Sequence, residues 1–446
     1  MFQRNAINYL RDWARKENRK PLVIRGARQV GKTSLIKEFG KEFDLFLHLN
    51  LDKKTDAFFF EKELQVKEIF DSILISKRLS KPQGKVLLFI DEIQTSPVAI
   101  KLLRYFFEEM PELHVIAAGS LLETLLNKKI SFPVGRVEYL ALRPCTFSEF
   151  LGAMGELPLL EKLNEVSVNE LMHNRLTELF KLFTLIGGMP EVIENYVQNK
   201  DIVALGNVFE TLLAGYRDDV EKYAPKDALV NPIRQIIKSG WDFAGQRITF
   251  ERFAHSNYKS REMAESLRVL EKALLLELVY PTVETKLPIT KDLKKKPKLI
   301  WFDTGLVNYS SGIQVELFNK ENISDSWRGK VAEHIVAQEI LGSTFRFLEE
   351  RYFWVREAKN SQAELDFLIN SAEFGLIPVE VKSGDNSKLK SLHLFMENSS
   401  AKVAVRFWNN FERTDTIELP NGKSYQLFSL PFYYAGFIEK AIKKLV

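Results

Sequence analysis

The sequence predicts an α/β protein: a parallel-sheet domain, a helical connector, a helical unit with a short strand, and a second α/β domain. Three observations carry that prediction. Short apolar runs alternate with helical spacing over the first 150 residues, the pattern turns helical from 151 to 228, and strand-type runs return beyond 313. The expected segments are 1–150, 151–228, 229–312 and 313–446.

In the first segment, "PLVIRG" is a short apolar run closed by Gly26, and "TSLIKEFGKEF" has helical spacing. "LFLHLNL" and the stronger "KVLLFID" read as strands, "VAIKLLRYFFEEM" as an amphipathic helix, and "HVIAAGS" as another strand. Apolar strands alternating with helices indicate a parallel sheet covered on both faces. Patterns such as "VNELMHNRLTELFKLF" make 151–228 mainly helical, and "GGMP" at 187–190 breaks them with turn chemistry. Next come "NPIRQIIKSGW", "TFERFAHS" and "SREMAESLRVLEKALLLE", followed by "LVYP". Three helices and a strand suggest a winged-helix unit. The Lys-rich "KDLKKKPK" (291–298) would be its wing, or merely a solvated loop. The last segment opens with the helix "SWRGKVAEHIVAQEIL" and continues with strands "RYFWVREA", "AELDFLIN", "LIPVEVKS" and "AKVAVRFW".

The 446 residues suggest roughly three domains. With 45% hydrophobic and 27% charged residues there is material for several cores. A formal charge of +4 is too small to imply a polyanionic partner, so any nucleic-acid surface has to be local. The single cysteine, Cys145, excludes an intrachain disulfide, fits a reducing compartment and reads as a small core residue. The N-terminus is charged and helical, without the apolar stretch of a signal peptide, and no apolar run approaches the ~18 residues of a membrane span. A soluble cytoplasmic protein with no membrane partner is expected.

"GARQVGKT", Gly26 to Thr33, fits G-x-x-x-x-G-K-[ST] at every defined position, with an apolar strand before it and a helix after it. The glycines let the backbone wrap phosphate oxygens, and the helix N-terminus adds positive potential. The cradle is Gly26, Ala27, Arg28, Gln29, Val30, Gly31, Lys32, Thr33 and Ser34. Lys32 can reach the β- and γ-phosphates of ATP, and Thr33 can ligate Mg²⁺. "KVLLFIDEIQ" ends a buried strand on Asp91, suited to the Mg²⁺ shell, and on Glu92, suited to polarising the attacking water. Ser120, at the end of "HVIAAGS", could sense the γ-phosphate, cap the helix "LLETLL", or do both.

Together these residues resemble an AAA+ ATPase of the P-loop class, in which the sensor strand lies between the two Walker strands. "FPVGRVEYLALRPCTFSEF" (132–150) resembles the segment after the sensor strand in a bacterial and archaeal ATPase family whose AAA+ core is joined to a C-terminal domain of unknown function. "GGMP", "GYRDDV" (215–220) and "WFDTGL" (301–306) resemble later signatures of that family. The resemblance implies ATP hydrolysis and raises the prospect of a homo-oligomer. Arg136, by its position, is a candidate arginine finger acting in cis or in trans; the plainer reading is a surface ion pair.

The C-terminal strands carry a second constellation. Ile377, Val379 and Val381 face a core, while Glu380 and Lys382 sit two apart on the other face. On the preceding strand Glu364 and Asp366 alternate with Leu365 and Phe367. A hairpin centred near Glu373 sets Asp366 opposite Glu380 and Glu364 opposite Lys382, crowding three carboxylates and one ammonium. A divalent cation would relieve that repulsion, and a solvated sheet edge is the alternative. Asp366 followed by Glu380-Val381-Lys382 resembles the PD-(D/E)xK nucleases, which have a restriction-endonuclease-like α/β fold. The resemblance implies that Asp366 and Glu380 bind Mg²⁺ or Mn²⁺, that Lys382 orients the attacking water or stabilises charge at phosphorus, and that Glu333 is the additional acidic ligand on the first helix. His334 adjoins Glu333 but points roughly 100° away around the helix, so it is not expected to join them. Two functions follow as expectations. One is an ATPase coupled to a metal-dependent nuclease acting on nucleic acid, DNA rather than RNA. The other is a nucleotide-driven switch whose winged helix and nuclease-like sheet only hold a DNA or protein partner.

Overall fold

The computed structural model describes residues 2–61, 64–81, 83–119, 133, 135–314, 329–357, 363–382 and 389–445. The first sheet contains β1 (Leu22–Arg25), β2 (Leu45–Asn50), β3 (Val86–Asp91), β4 (His114–Gly119) and β5 (Glu138–Ala141). Its order is β2-β3-β4-β1-β5 and every pairing is parallel. β3 and β4 are buried along their whole length, which is why their sequences read as continuous apolar runs. β4, the expected sensor strand, lies between β1 and β3, the strands that carry the two Walker motifs.

The connector is helical as expected, with Phe147–Met154, Leu157–Glu165, Glu170–Ile186, Pro190–Asn199 and Leu205–Asp218. Thr146 and Glu149 form a capping box at its entry. Between 229 and 275 the expectation is met in part. Val230–Ser239 and Ser260–Lys272 are α-helices, but the stretch read as the middle helix holds only a 3-10 turn, Phe253–His255. Arg252, Ala254 and His255 all have positive φ, which an α-helix cannot absorb.

β6 (Leu276–Thr282) and β7 (Lys298–Trp301) form the antiparallel pair expected of a wing. They do not stand apart. β6 continues beside β8 (Tyr352–Val355), pairing Tyr280 with Tyr352. The pair therefore extends one mixed sheet with β9 (Glu364–Ser371), β10 (Gly375–Val381), β11 (Val403–Trp408), β12 (Arg413–Glu418) and β13 (Ser424–Pro431). The order among the described residues is β12-β13-β11-β10-β9-β8-β6-β7. The β9–β10 hairpin pairs Ser371 with Gly375 and Phe367 with Val379, so it is centred on Glu373 as the spacing predicts. Continuing that register by one residue sets Asp366 across from Glu380.

One apolar cluster spans both sheets. It includes Ile24 and Phe89 of the first sheet, Phe183 and Phe209 of the connector, and Ile377, Val379 and Val381 of β10. Cys145 lies in that cluster as a buried free thiol.

Candidate functional site

The P-loop leaves β1 at Gly26, where a Cβ would lie 2.3 Å from the Leu142 carbonyl oxygen on the β5 side. Gln29 and Gly31 both have positive φ, and Gly31 at φ 93° leads directly into the helix Lys32–Gly40. Lys32 is buried and donates to the carbonyls of Gly26 and Ala27 at 3.0 and 2.8 Å. Burial pulls its pKa from 10.5 down to about 8, against the opposing pull of Glu92 and Asp91. The Thr33 hydroxyl donates to Asp91 Oδ2 at 2.8 Å. Glu92, in left-handed backbone at φ 54°, accepts from the Gln94 side-chain amide and faces the same cavity. That cavity, about 460 Å³, is lined by Arg28, Gln29, Gly31, Lys32, Thr33 and Ser34, with Phe2 and Pro190 as apolar walls. The oxygens of Thr33 and Asp91 are the hard donors that Mg²⁺ takes, so the residues present fit that ion.

Arg4, which no local sequence signal marks, also belongs to this site, and Arg28 of the cradle gains a distant partner. Arg4, from the N-terminal segment, donates to Val30 O at 2.8 Å and Arg143 O at 2.7 Å, and pairs with Glu149 at 3.0 Å. Arg28 pairs with buried Asp219 of "GYRDDV", and the Tyr216 hydroxyl donates to Arg28 O at 2.8 Å. The N-terminal segment and the connector thus each hold the phosphate loop. Ser120 lies outside the described residues. Arg136 precedes β5 and pairs with Glu108 at 2.5 Å. Glu138, two residues on, lies beside Leu22 at the start of β1, so Arg136 sits at the sheet edge opposite its own P-loop and cannot serve it in cis.

"GGMP" and "WFDTGL" meet at a junction. Gly188 N donates to Asp303 Oδ2 at 2.7 Å, and Cys145 N donates to Gly188 O at 2.7 Å. Any side chain would collide here: a Cβ on Gly188 would lie 2.3 Å from Cys145 O, and one on Gly187 2.5 Å from Asp303 Oδ1. From the junction the helix Lys330–Gly342 runs to the C-terminal sheet. Its Gln338 accepts from Thr304 N at 2.7 Å. His334 accepts from Trp301 N at 3.0 Å through Nε2, leaving Nδ1–H to donate to the Thr304 hydroxyl at 2.9 Å. Burial drops the His334 pKa to about 3 and keeps the ring neutral, and the Trp301 N–H fixes its tautomer, so His334 takes no part in the acidic cluster, as its position predicts. Glu339 accepts from Phe147 N at 3.1 Å.

Glu333, on the same helix, reaches the acidic cluster. There Glu333, Asp366 and Glu380 converge with Glu364. Their neighbours differ from the expected ones. Lys298, read as the end of a wing loop, is buried with its Nζ 2.9 Å from Glu333, 2.8 Å from Glu364 and 3.4 Å from Asp366. Lys382 pairs with Glu380 at 2.6 Å within its own strand rather than with Glu364 across the hairpin. Glu364 pairs instead with Lys298 and Arg247. Asp366 Oδ2 accepts from Val381 N at 2.8 Å. Burial and mutual repulsion raise Glu333 and Glu380 to about 7. Among the described residues, no group of three or more His, Cys, Asp or Glu is arranged to hold a metal ion. Glu364 was visible in the alternation of β9; Lys298 and Arg247 were not, because Lys298 lies 68 residues before its partner Asp366 and Arg247 lies 117 residues before its partner Glu364.

Residues 18–151 match the model of an AAA domain, and the N-terminal part of the chain is an AAA-type ATPase domain. Residues 177–317 and 328–421 match two models described only as domains of unknown function. No curated protein matches the chain. Similar solved structures include Drosophila ORC bound to DNA, at 17% identity and TM-score 0.25 over 59% of this chain and 65% of that one. They also include AMPPCP-bound DnaA from Aquifex aeolicus, at 14% identity and TM-score 0.26 over 59% and 86%. The Aeropyrum pernix ORC1 protein in complex with DNA matches at 13% identity and TM-score 0.27 over 71% and 94%. Likenesses this slight carry no argument about this chain. No described helix is long and apolar enough to cross a membrane.

Proposed function

We propose that the protein binds and hydrolyses ATP at the P-loop and uses the nucleotide state to govern how its C-terminal domain engages nucleic acid, DNA in preference to RNA. The observation that carries this reading is the meeting of Lys32, Thr33, Asp91 and Glu92 at one cavity. On binding, Lys32 leaves the Gly26 and Ala27 carbonyls for the β- and γ-phosphates, and the main-chain amides of the loop wrap the phosphate oxygens. Thr33 and Asp91 would hold Mg²⁺, whose charge neutralises the phosphates. Glu92 orients the attacking water, Ser120 is placed in sequence to sense the γ-phosphate, and Arg136 can serve only a neighbour's nucleotide in a homo-oligomer.

Arg4 supports a route for coupling. It touches the P-loop at Val30 and pairs with Glu149, which accepts from Thr146 N at 2.9 Å. The next residue, Phe147, donates to Glu339, and Glu333 lies about 9 Å further along the same helix. A phosphate that draws the loop inward would pull on this chain of contacts.

Two readings of the C-terminal domain follow. In one, Glu333, Asp366 and Glu380 take up Mg²⁺ or Mn²⁺ and Lys382 assists phosphodiester cleavage. In the other, the domain and its winged-helix-like neighbour only bind DNA or a protein partner. The pairing of the carboxylates with ammonium groups favours the second. Lys32→Ala should abolish ATP turnover, and retained hydrolysis would refute the core assignment. Mn²⁺-dependent cutting of DNA or RNA that disappears in Asp366→Ala and Lys382→Ala would establish the first reading; ATP-dependent binding unchanged in Asp366→Asn would establish the second.

A further inference from the structure

We propose that the ammonium of Lys298 stands where a divalent cation would sit in the acidic cluster, so that the centre is completed by the chain itself and binds no metal. Three carboxylate oxygens, from Glu333, Glu364 and Asp366, surround Nζ at 2.8 to 3.4 Å. An ammonium has three donors, so this set saturates it. The side chain is only 5% exposed, so it is not a surface lysine resting on a convenient neighbour. Its backbone is fixed as well, because Lys298 opens β7 and pairs with Val279 of β6, in the sheet that holds the carboxylates. The rings of Phe353 and Phe367, with centroids 5.1 and 5.9 Å from Nζ, close the other sides.

A divalent ion such as Mg²⁺ wants about six oxygens, and most of those in this pocket are already engaged. Asp366 gives its second oxygen to Val381 N–H, Glu364 its second to Arg247, and Glu380 Oε1 is held by Lys382. Glu380 Oε2, a buried acceptor without a partner among the described residues, and the second oxygen of Glu333 are what remain, and two oxygens do not make a cation shell. Four carboxylates face Lys298, Lys382 and Arg247, so a divalent ion would also turn the cluster net positive beside a buried ammonium. The inference is independent of ATP hydrolysis, which uses other residues.

The test is Mn²⁺ binding to the nucleotide-free full-length chain, followed by electron paramagnetic resonance of the free ion, with thermal denaturation alongside. Wild type and Asp366→Asn should bind the same amount of Mn²⁺. Lys298→Met should gain one further ion per chain, lose it again in Lys298→Met/Asp366→Asn, and alone show a Tm that rises with added Mn²⁺. Where Lys298→Met does not fold without metal, recovery of folding by Mn²⁺ supports the proposal equally. Mn²⁺ bound by wild type and lost in Asp366→Asn overturns it, and so does a folded Lys298→Met that gains no ion.

Discussion

Lys32 offers a quantitative test of the nucleotide site. In the free protein its ammonium is buried against two carbonyls and its pKa falls from 10.5 to about 8. Bound phosphate favours the charged form and raises the pKa again. ATP binding therefore takes up a proton wherever the free protein has released one. Affinity should be full below about pH 8, fall about twofold at pH 8, and fall about tenfold by pH 9, one pKa unit being worth about 1.36 kcal/mol. The nucleotide itself contributes little there, since a phosphate's last ionisation lies near about pH 6. The stability of the nucleotide-free fold moves the opposite way. Between about 8 and 10.5 the unfolded chain holds the proton that folded Lys32 has shed, so stability rises with pH across that window. The assay is calorimetric titration with a slowly hydrolysed ATP analogue in two buffers of different ionisation enthalpy. Lys32→Arg, always charged, should lose the pH dependence whatever its absolute affinity. A wild-type Kd that stays flat between about pH 7 and about pH 9.5, with no proton uptake, would refute the reasoning.

Three other outcomes are expected. Gly188→Ala forces a Cβ to within 2.3 Å of Cys145 O and should destabilise the fold by about 1–3 kcal/mol, read as a drop in denaturation midpoint; an unchanged midpoint would mean the junction is looser than its contacts indicate. Asp219→Ala removes the carboxylate that holds Arg28 and should weaken ATP binding through a disordered P-loop, while Asp219→Glu recovers part of it; equal affinity in both would show that the connector does not position the loop. Glu339, fully enclosed, has its pKa raised from 4.5 to about 8 by burial. The folded chain thus holds a proton that the unfolded chain loses above 4.5, so this group's contribution is complete below 4.5 and fades as pH rises towards 8. Glu339→Gln should flatten that decline, and an identical stability–pH curve in the variant would show the carboxyl to be ionised in the fold.

Much of the nucleotide site was legible because its signals are local. Gly26 to Thr33 must turn, present amides and start a helix within eight residues, and only a narrow set of residue types does that. Asp91 and Glu92 were readable because they end a continuous apolar strand, and the β9–β10 register followed from hairpin spacing alone. The middle helix of the 229–275 segment was misread because "TFERFAHS" has helical apolar spacing, yet the packing of buried Phe253 and Ala254 is met with positive φ on either side. Lys298, at the end of the lysine run, was misread for a different reason. A run of lysines suggests solvent, and nothing within ten residues of Lys298 tells that three carboxylates await it.

By itself the sequence determined the phosphate loop, the acidic end of β3 and the alternation that puts Glu364, Asp366, Glu380 and Lys382 on adjoining strands, since each depends on bond rotation and periodicity over a few residues. Only the tertiary structure decided which charges meet. Arg4 reaches Glu149 and Arg28 reaches Asp219 across long stretches of chain, and Lys298 enters the carboxylate cluster because β6 joins β7 to β8. Those pairings are set by how the two sheets pack around one apolar core, and no local pattern encodes the distance between residues that the chain brings together only at the end.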